Sequence, residues 1–242
     1  MTDTSSLGDR MKIHENAFRF HLPHRMPVII RVDGRAFHTL TRGLDRPFDK
    51  RFMQCMDITA VSLMNEIQNA VFAYVQSDEI SILCNNYKTL VTQPWFGNNL
   101  QKIVSVAAGI ASRIFTCEAM AEINKVGEFD ARAFVLPKEE VTNYFVWRQQ
   151  DATRNSIQST AQAHFSAKQL NCKNQIQMQD MLHEKGINWN DLPIGQKRGR
   201  CILRYTVIND NDEKRPGIDD CPPVFTQDRD YIEQFLLAEE EL

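Results

Sequence analysis

Two short stretches hold most of the chemistry this chain can offer: Arg31-Val32-Asp33-Gly34-Arg35-Ala36-Phe37-His38 and Gln76-Ser77-Asp78-Glu79. Each follows an apolar run, Val28-Ile29-Ile30 in the first and Val71-Phe72-Ala73-Tyr74-Val75 in the second. An apolar run that ends in a carboxylate reads as a buried strand delivering its last side chain to an open edge. Asp33 and Asp78-Glu79 at one edge would suit hard divalent cations. Mg²⁺ takes carboxylate oxygens at roughly 2.0–2.1 Å and fills its other positions with water and substrate phosphate. Two such ions about 3.5–4 Å apart serve phosphoryl transfer, one lowering the pKa of an attacking hydroxyl and the other neutralising the leaving phosphate. Gly34 has no Cβ and lets a phosphate or metal approach the backbone. Arg35, Arg46, Lys50, Lys102 and Arg132 are cations available to balance phosphate charge. Taken alone, Asp78-Glu79 fits a solvated turn equally well, and His38 alone reads as a loop histidine.

The elements that must position these residues follow from hydrophobic periodicity. Strands are expected at residues 26–32, 71–75, 80–83 and 129–136, the middle two as a hairpin around Ser77-Asp78-Glu79. Asp49 sits where a helix cap belongs, and Phe52, Met56, Ala60, Leu63 and Ile67 recur at helical intervals after it. A second helix starts near Asn98, with an apolar face from Leu100 to Phe115. The order strand–helix–strand–strand–helix–strand is the ferredoxin-like split βαβ unit, an α+β arrangement with both helices on one face of an antiparallel sheet. In that topology the first and third strands are central neighbours, so Asp33 and Asp78 are expected at one edge of the sheet.

The remainder is read as a C-terminal helical and strand extension. A helix at 138–149 precedes it, and it holds helices at 156–170 and 175–184, a strand at 200–208, an acidic Pro- and Asp-rich loop at 209–223 and a helix at 228–242. A short helix is expected within residues 9–20. The catalytic region is placed at residues 1–150 and the extension at 151–242, packed as one unit.

Composition narrows the setting. The chain has 242 residues, 43% apolar and 24% charged, as in an ordinary globular protein. The N-terminus is polar without a signal-like apolar core, and no apolar run approaches the roughly 18 residues that span a bilayer. Six cysteines without a C-x-x-C pair predict reduced thiols in a cytoplasmic protein. The formal charge of −3 excludes a uniformly basic nucleic-acid binder, so any phosphate-binding surface must be local. Lys197-Arg198-Gly199-Arg200 with Arg204 is the candidate, against a plain solvated turn.

Four segments resemble, in order and spacing, the tRNA-His guanylyltransferase family: Val32 to His38, Gln76 to Glu79, Phe129-Asp130-Ala131-Arg132 and Trp147-Arg148-Gln149-Gln150-Asp151. The resemblance spans about residues 26–156. It implies a polymerase-like palm that adds nucleotides to the 5′ end of tRNA, in the 3′-to-5′ direction, using two Mg²⁺ ions with ATP and GTP or another NTP as substrates. It implies Asp33 and Asp78 as metal ligands with the Gly34 carbonyl assisting, and Glu79 as an acidic neighbour supporting the catalytic site. Arg35, Ala36, Phe37, His38, Arg46, Asp49 and Ser77 are placed at the nucleotide by the same likeness, and Lys102 at its triphosphate. A homotetramer is implied as well.

Two departures matter. Arg46-Pro47 stands where the family has Lys-Pro, and Thr153-Arg154-Asn155-Ser156 stands where eukaryotic members have His-Ile-Asn-Asn. The second departure implies the guanylyltransferase-like branch, which resembles a template-dependent repair enzyme for 5′-truncated tRNA. Arg132, Arg154, Asn155, Lys197, Arg198 and Arg200 are the candidate RNA contacts, with Trp189 as a stacking residue.

Two rival readings share the topology. A nucleotidyl cyclase-like palm enzyme would make a cyclic or linear nucleotide product. A non-catalytic ferredoxin-like RNA-binding module would carry stacking aromatics on an exposed sheet face.

Overall fold

The structure is a computed structural model that describes residues 6–206 and 214–237. One six-stranded antiparallel sheet organises it, in the order β4-β1-β3-β2-β5-β6. The first four strands are β1 (Pro27–Gly34), β2 (Ala70–Gln76), β3 (Glu79–Asn85) and β4 (Phe129–Val135). Helix α1 (Leu7–Asn16) precedes them and buries none of its residues. The short α2 (Phe37–Leu40) follows β1, and α3 (Lys50–Glu66) and α4 (Leu100–Glu122) supply the two crossovers. This is the split βαβ order expected, with β1 and β3 adjacent at the centre.

Both crossover helices lie on one face. Val28, Ile30 and Val32 of β1 meet Met56, Ala60 and Leu63 of α3 and Ala107, Ala111 and Phe115 of α4 in one buried cluster. Helix α4 alone among the described residues is long and apolar enough by composition to cross a bilayer. Its stripe of Ile103, Ala107, Ile110, Ala111, Phe115 and Ala119 is instead buried in this core.

The opposite face is covered too. Helix α5 (Lys138–His164) lies across it, and Val141, Tyr144 and Phe145 pack with Ile29, Phe72, Tyr74 and Leu83. Phe225, Ile232 and Leu236 complete this second core from the C-terminal segment. Phe72 and Tyr74 are thus aromatics on the second sheet face, but both are fully buried. A module that stacks bases on a bare sheet needs an open face, and this molecule has none there.

After α5 come α6 (Ala167–Leu170), α7 (Gln175–Glu184), α8 (Ile194–Arg198), β5 (Arg200–Thr206), β6 (Lys214–Asp219) and α9 (Asp230–Glu233). Asp151 falls inside α5, a single helix from 138 to 164, and β5 pairs with β2 from Phe72↔Leu203 to Val75↔Arg200. The chain on both sides of Asp151 therefore shares one sheet. The stretch expected as an acidic loop is corrected in part: Lys214–Asp219 is an edge strand, paired with β5 from Cys201↔Asp219 to Thr206↔Lys214. Its Pro216 is tolerated because an edge strand can lack a donor on its open side. Residues 209–213 of that expected loop, and 238–242 of the expected C-terminal helix, lie outside the described residues. Within 228–237 the helix is short, Asp230–Glu233 followed by a 3₁₀ turn.

Candidate active site

Strand register brings the acids together. Asp33 lies directly across from Glu79 on β3 and from Asp130 on β4. The β2–β3 hairpin turns on two residues, Ser77 and Asp78, with Ser77 in the left-handed region at φ 48°. The Gly34 N–H donates to the Asp78 carbonyl at 3.0 Å, which fixes the end of β1 against this turn.

The side chains divide into two sets. Asp33 and Asp78 are partly exposed. Burial pushes the Asp78 carboxyl up, the Ser77 hydroxyl bond draws it down, and the neighbouring Asp33 charge raises it further. Glu79 is buried at the centre of an ion-pair network. Arg31 Nη2 reaches Glu79 Oε2 at 2.6 Å and Asp33 Oδ2 at 2.7 Å, and Arg148 Nη1 reaches Glu79 Oε2 at 2.8 Å. Burial raises the Glu79 carboxyl while Arg148 and Arg31 pull it back. The Ser81 hydroxyl also donates to Glu79, at 3.2 Å, and shares a 2.8 Å bond with the Tyr144 hydroxyl. Glu79 is thus committed to holding Arg31 and Arg148 in place.

Two acids fit a metal site completed by substrate. Among the described residues no group of three or more His, Cys, Asp or Glu side chains forms a closed metal cage. Asp33 and Asp78 leave most positions of a Mg²⁺ to water and phosphate, which is the usual pattern for that ion in phosphoryl transfer. Two like charges side by side, one raised by burial, are an arrangement that a bound cation stabilises.

Beside this edge opens a cleft of about 410 Å³, lined by His38, Arg46, Asp49, Gln76 and Ser77 together with Asn155 of α5. Its far wall includes Gly195, Gly199 and Arg200. Asp49 does double service. It caps α3 by accepting from the N–H groups of Arg51 and Phe52 at 2.9 and 3.2 Å, and the Arg51 guanidinium holds its carboxyl down at about 2.

Several expected roles are corrected. Phe37 does not line this cleft: it is buried against Phe52, Phe115 and Phe129, with ring centroids 5.0–6.0 Å away. The same packing explains Gly34, because a Cβ there would come within 2.5 Å of the Phe37 ring. Lys102 lies at the other end of the sheet. Leu100 bonds to Phe20 at the start of α4, whereas Ser112, roughly 15 Å along the helix from Lys102, meets Phe129 opposite Gly34. Ala36 takes a left-handed conformation before α2, and Arg35 is exposed and paired with Glu128 at 2.9 Å.

The candidate RNA contacts also divide. Lys197 is buried, its Nζ donating to the Asn190 carbonyl at 2.6 Å beside the Trp189 ring. Trp189 is itself buried and donates to Ser156 at 3.0 Å, so it is not a stacking surface. Arg200 is buried against Asp57 at 2.5 Å, and burial raises that carboxyl while Arg200 lowers it. Arg204 donates to the Met64 carbonyl at the end of α3 and the Ala70 carbonyl at the start of β2. Arg132 is exposed on β4 and paired with Asp130, Arg154 is exposed and paired with Asp151, and Arg198 is half-buried beside a second cleft. Arg31 and Arg148, which hold the acids, carried no assigned role in the sequence. Arg31 is two residues before Asp33, so strand alternation already places it on the same face.

A palm-like antiparallel sheet with paired acids beside a nucleotide-sized cleft defines the molecule as a nucleotidyltransferase. Comparison with known proteins agrees. The tRNAHis guanylyltransferase (Thg1) family profile matches residues 8–137, and the chain belongs to that family. A solved bacterial tRNA(His) guanylyltransferase (Thg1)-like protein in complex with ATP is 49% identical, with a TM-score of 0.90 over 96% of this chain and 99% of that one. A second such structure, in complex with GTP, is 44% identical, with a TM-score of 0.83 over the same shares. Among sequences, the probable tRNA(His) guanylyltransferase of Drosophila melanogaster is 27% identical, covering 75% of this chain and 68% of its own.

Proposed function

We propose that this enzyme repairs the 5′ end of truncated tRNA, adding nucleotides in the 3′-to-5′ direction as directed by the opposite strand. The observation that carries the reading is the convergence of Asp33 and Asp78 on one sheet edge, next to a cleft of about 410 Å³. Binding of ATP and of GTP by the two similar bacterial proteins supports an ATP-activated reaction here.

In the first step a 5′-monophosphate oxygen attacks the α-phosphorus of ATP, forming an adenylylated end and releasing pyrophosphate. In the second, the 3′-hydroxyl of the incoming NTP attacks the activated 5′ phosphorus, and AMP leaves as that bond breaks. RNA that already bears a 5′-triphosphate enters at the second step with pyrophosphate as leaving group. Asp33 and Asp78, with the Gly34 carbonyl, would hold Mg²⁺, which supplies charge neutralisation at the phosphates and a lowered pKa for the attacking hydroxyl. Arg31 holds Asp33 in place, Glu79 holds Arg31, and Arg148 holds Glu79. His38, Arg46, Asp49 and Ser77 line the nucleotide's cleft, and Arg46 faces phosphate as a fixed fork where a lysine would be a point charge. The protein's share is positioning and charge stabilisation.

The test supplies 5′-labelled tRNA lacking its first nucleotide with each NTP in turn. Extension by the base that pairs with the opposite strand is expected, and the favoured NTP should change when that template base is changed. Addition of G whatever the template would replace repair with a fixed G addition.

A further inference from the structure

A second cleft, of about 400 Å³, opens beside α5, lined by Trp147, Gln150 and Arg154 and closed by Gln175, Arg198 and Val224. The three α5 residues recur at helical spacing, so they form one stripe. The functional reading above uses none of the six.

Trp147 is the unusual member. Its surface is 48% exposed, whereas Trp95 and Trp189 are each only 9% exposed. Its ring is nonetheless held firmly. The Arg148 guanidinium carbon sits 3.5 Å from the indole centroid, and Tyr144 meets the ring at 5.9 Å and 64°. Arg148 is itself immobilised by Glu79 at 2.8 Å and Asp151 at 3.3 Å. A large flat ring, braced from behind and open in front, costs little entropy when another ring stacks on it.

The surroundings specify the visitor. Arg154 is exposed while paired with Asp151, and among the described residues Arg198 has no carboxylate partner. Gln150 and Gln175 add amide donors and acceptors. Two guanidiniums around an aromatic platform match a nucleotide, with phosphates on the cations and the base on the indole. Amides at the rim can bond a base edge, which only an unpaired nucleotide exposes.

We propose that this cleft seats an unpaired nucleotide of the RNA substrate, its base stacked on Trp147 and its phosphates at Arg154 and Arg198. The proposal rests on the reading of the chain as an enzyme of tRNA 5′ ends. It adds a contact away from the nucleotide cleft, joined to the acidic edge by Arg148, which touches both Trp147 and Glu79.

The test uses the full chain and the unstructured RNA pentauridylate, following tryptophan emission. Because the other two indoles are buried, quenching by RNA reports Trp147. Saturable quenching is expected, and Trp147→Leu should abolish it and weaken RNA binding roughly tenfold or more. Trp147→Phe, which keeps a stacking ring, should recover most of that affinity. Arg198→Gln tests the phosphate contact without disturbing the indole, and should lower the salt dependence of binding by about one ion. Unquenched emission on RNA addition, or native affinity in Trp147→Leu, would overturn the proposal. So would quenching by an acidic peptide but not by RNA, which would assign the cleft to a protein. Extension of truncated tRNA is followed in parallel by the unaltered enzyme. Extension without quenching removes this site and leaves the functional reading intact, whereas quenching without extension removes that reading and leaves the site.

Discussion

The acidic edge and the basic run from Lys197 to Arg204 are both short clusters of like charge, and folding treats them in opposite ways. At the edge, Asp33 and Asp78 stay partly exposed beside a cleft, and Arg31 satisfies one oxygen of Asp33. In the basic run, Lys197, Arg200 and Arg204 are each consumed by the protein: one on the Asn190 carbonyl, one on Asp57, one on carbonyls at the end of α3 and the start of β2. Arg200 lines the first cleft with its guanidinium already taken, and of the four only Arg198 has no carboxylate or carbonyl partner among the described residues while it borders a cleft. Charge in a sequence marks a site only where the fold leaves part of it open to solvent. The same division runs through the acidic cluster, because Glu79 is spent on Arg31 and Arg148 while its neighbour Asp78 is not.

Substitutions can break this contrast. Asp33→Ala or Asp78→Ala should lower nucleotide addition by about 10³-fold or more, on the order of 4 kcal/mol of transition-state stabilisation. Thermal unfolding should move little, and measuring both quantities on the same preparations separates chemistry from folding. Arg200→Met should do the reverse. Stranding Asp57 in the core is expected to cost about 3–5 kcal/mol of stability, read by denaturant unfolding, with the salt dependence of RNA binding unchanged. A reduced salt slope in Arg200→Met would return that residue to the RNA surface. The smallest effect belongs to Asp49. Its carboxyl is held at about 2 against an ordinary 3.8, so its contribution is complete above pH 4 and disappears as pH falls through 2. Asp49→Asn keeps an oxygen that can cap the helix but loses the charge paired with Arg51. It should cost about 1 kcal/mol at neutral pH and nothing below pH 2, as followed by unfolding across that range.

What was legible in the sequence had local causes. Alternating apolar runs, the cap at Asp49 and the helical spacing after it gave four strands and two helices in order. The split topology then placed β1 beside β3, and with it Asp33 beside Asp78. The partners that settle the other residues are remote in the chain. Asp57 is 143 positions from Arg200, and Glu79 is 69 from Arg148, and no periodicity links such pairs. Phe37 was expected at the nucleotide from the resemblance alone, yet three phenylalanines from different elements bury it. Lys102 was displaced by direction: α4 starts at the sheet end away from the acids. Lys214–Asp219, with its Pro and Gly, has little intrinsic strand preference and is a strand because β5 offers a partner.

Gly199 decides how far the molecule can be trimmed. At φ 78° it lets the chain leave α8 with its carbonyl neighbour, Arg198, accepting from the Tyr74 hydroxyl at 2.5 Å; a Cβ there would lie within 2.5 Å of that hydroxyl and 2.7 Å of the Val75 carbonyl. This glycine seats β5 on β2 and so erects the far side of the cleft beside the acidic edge, well beyond the family-matched residues 8–137. A fragment cut at that boundary would keep both aspartates and lose the wall of the cleft that Asn155, Gly195, Gly199 and Arg200 provide.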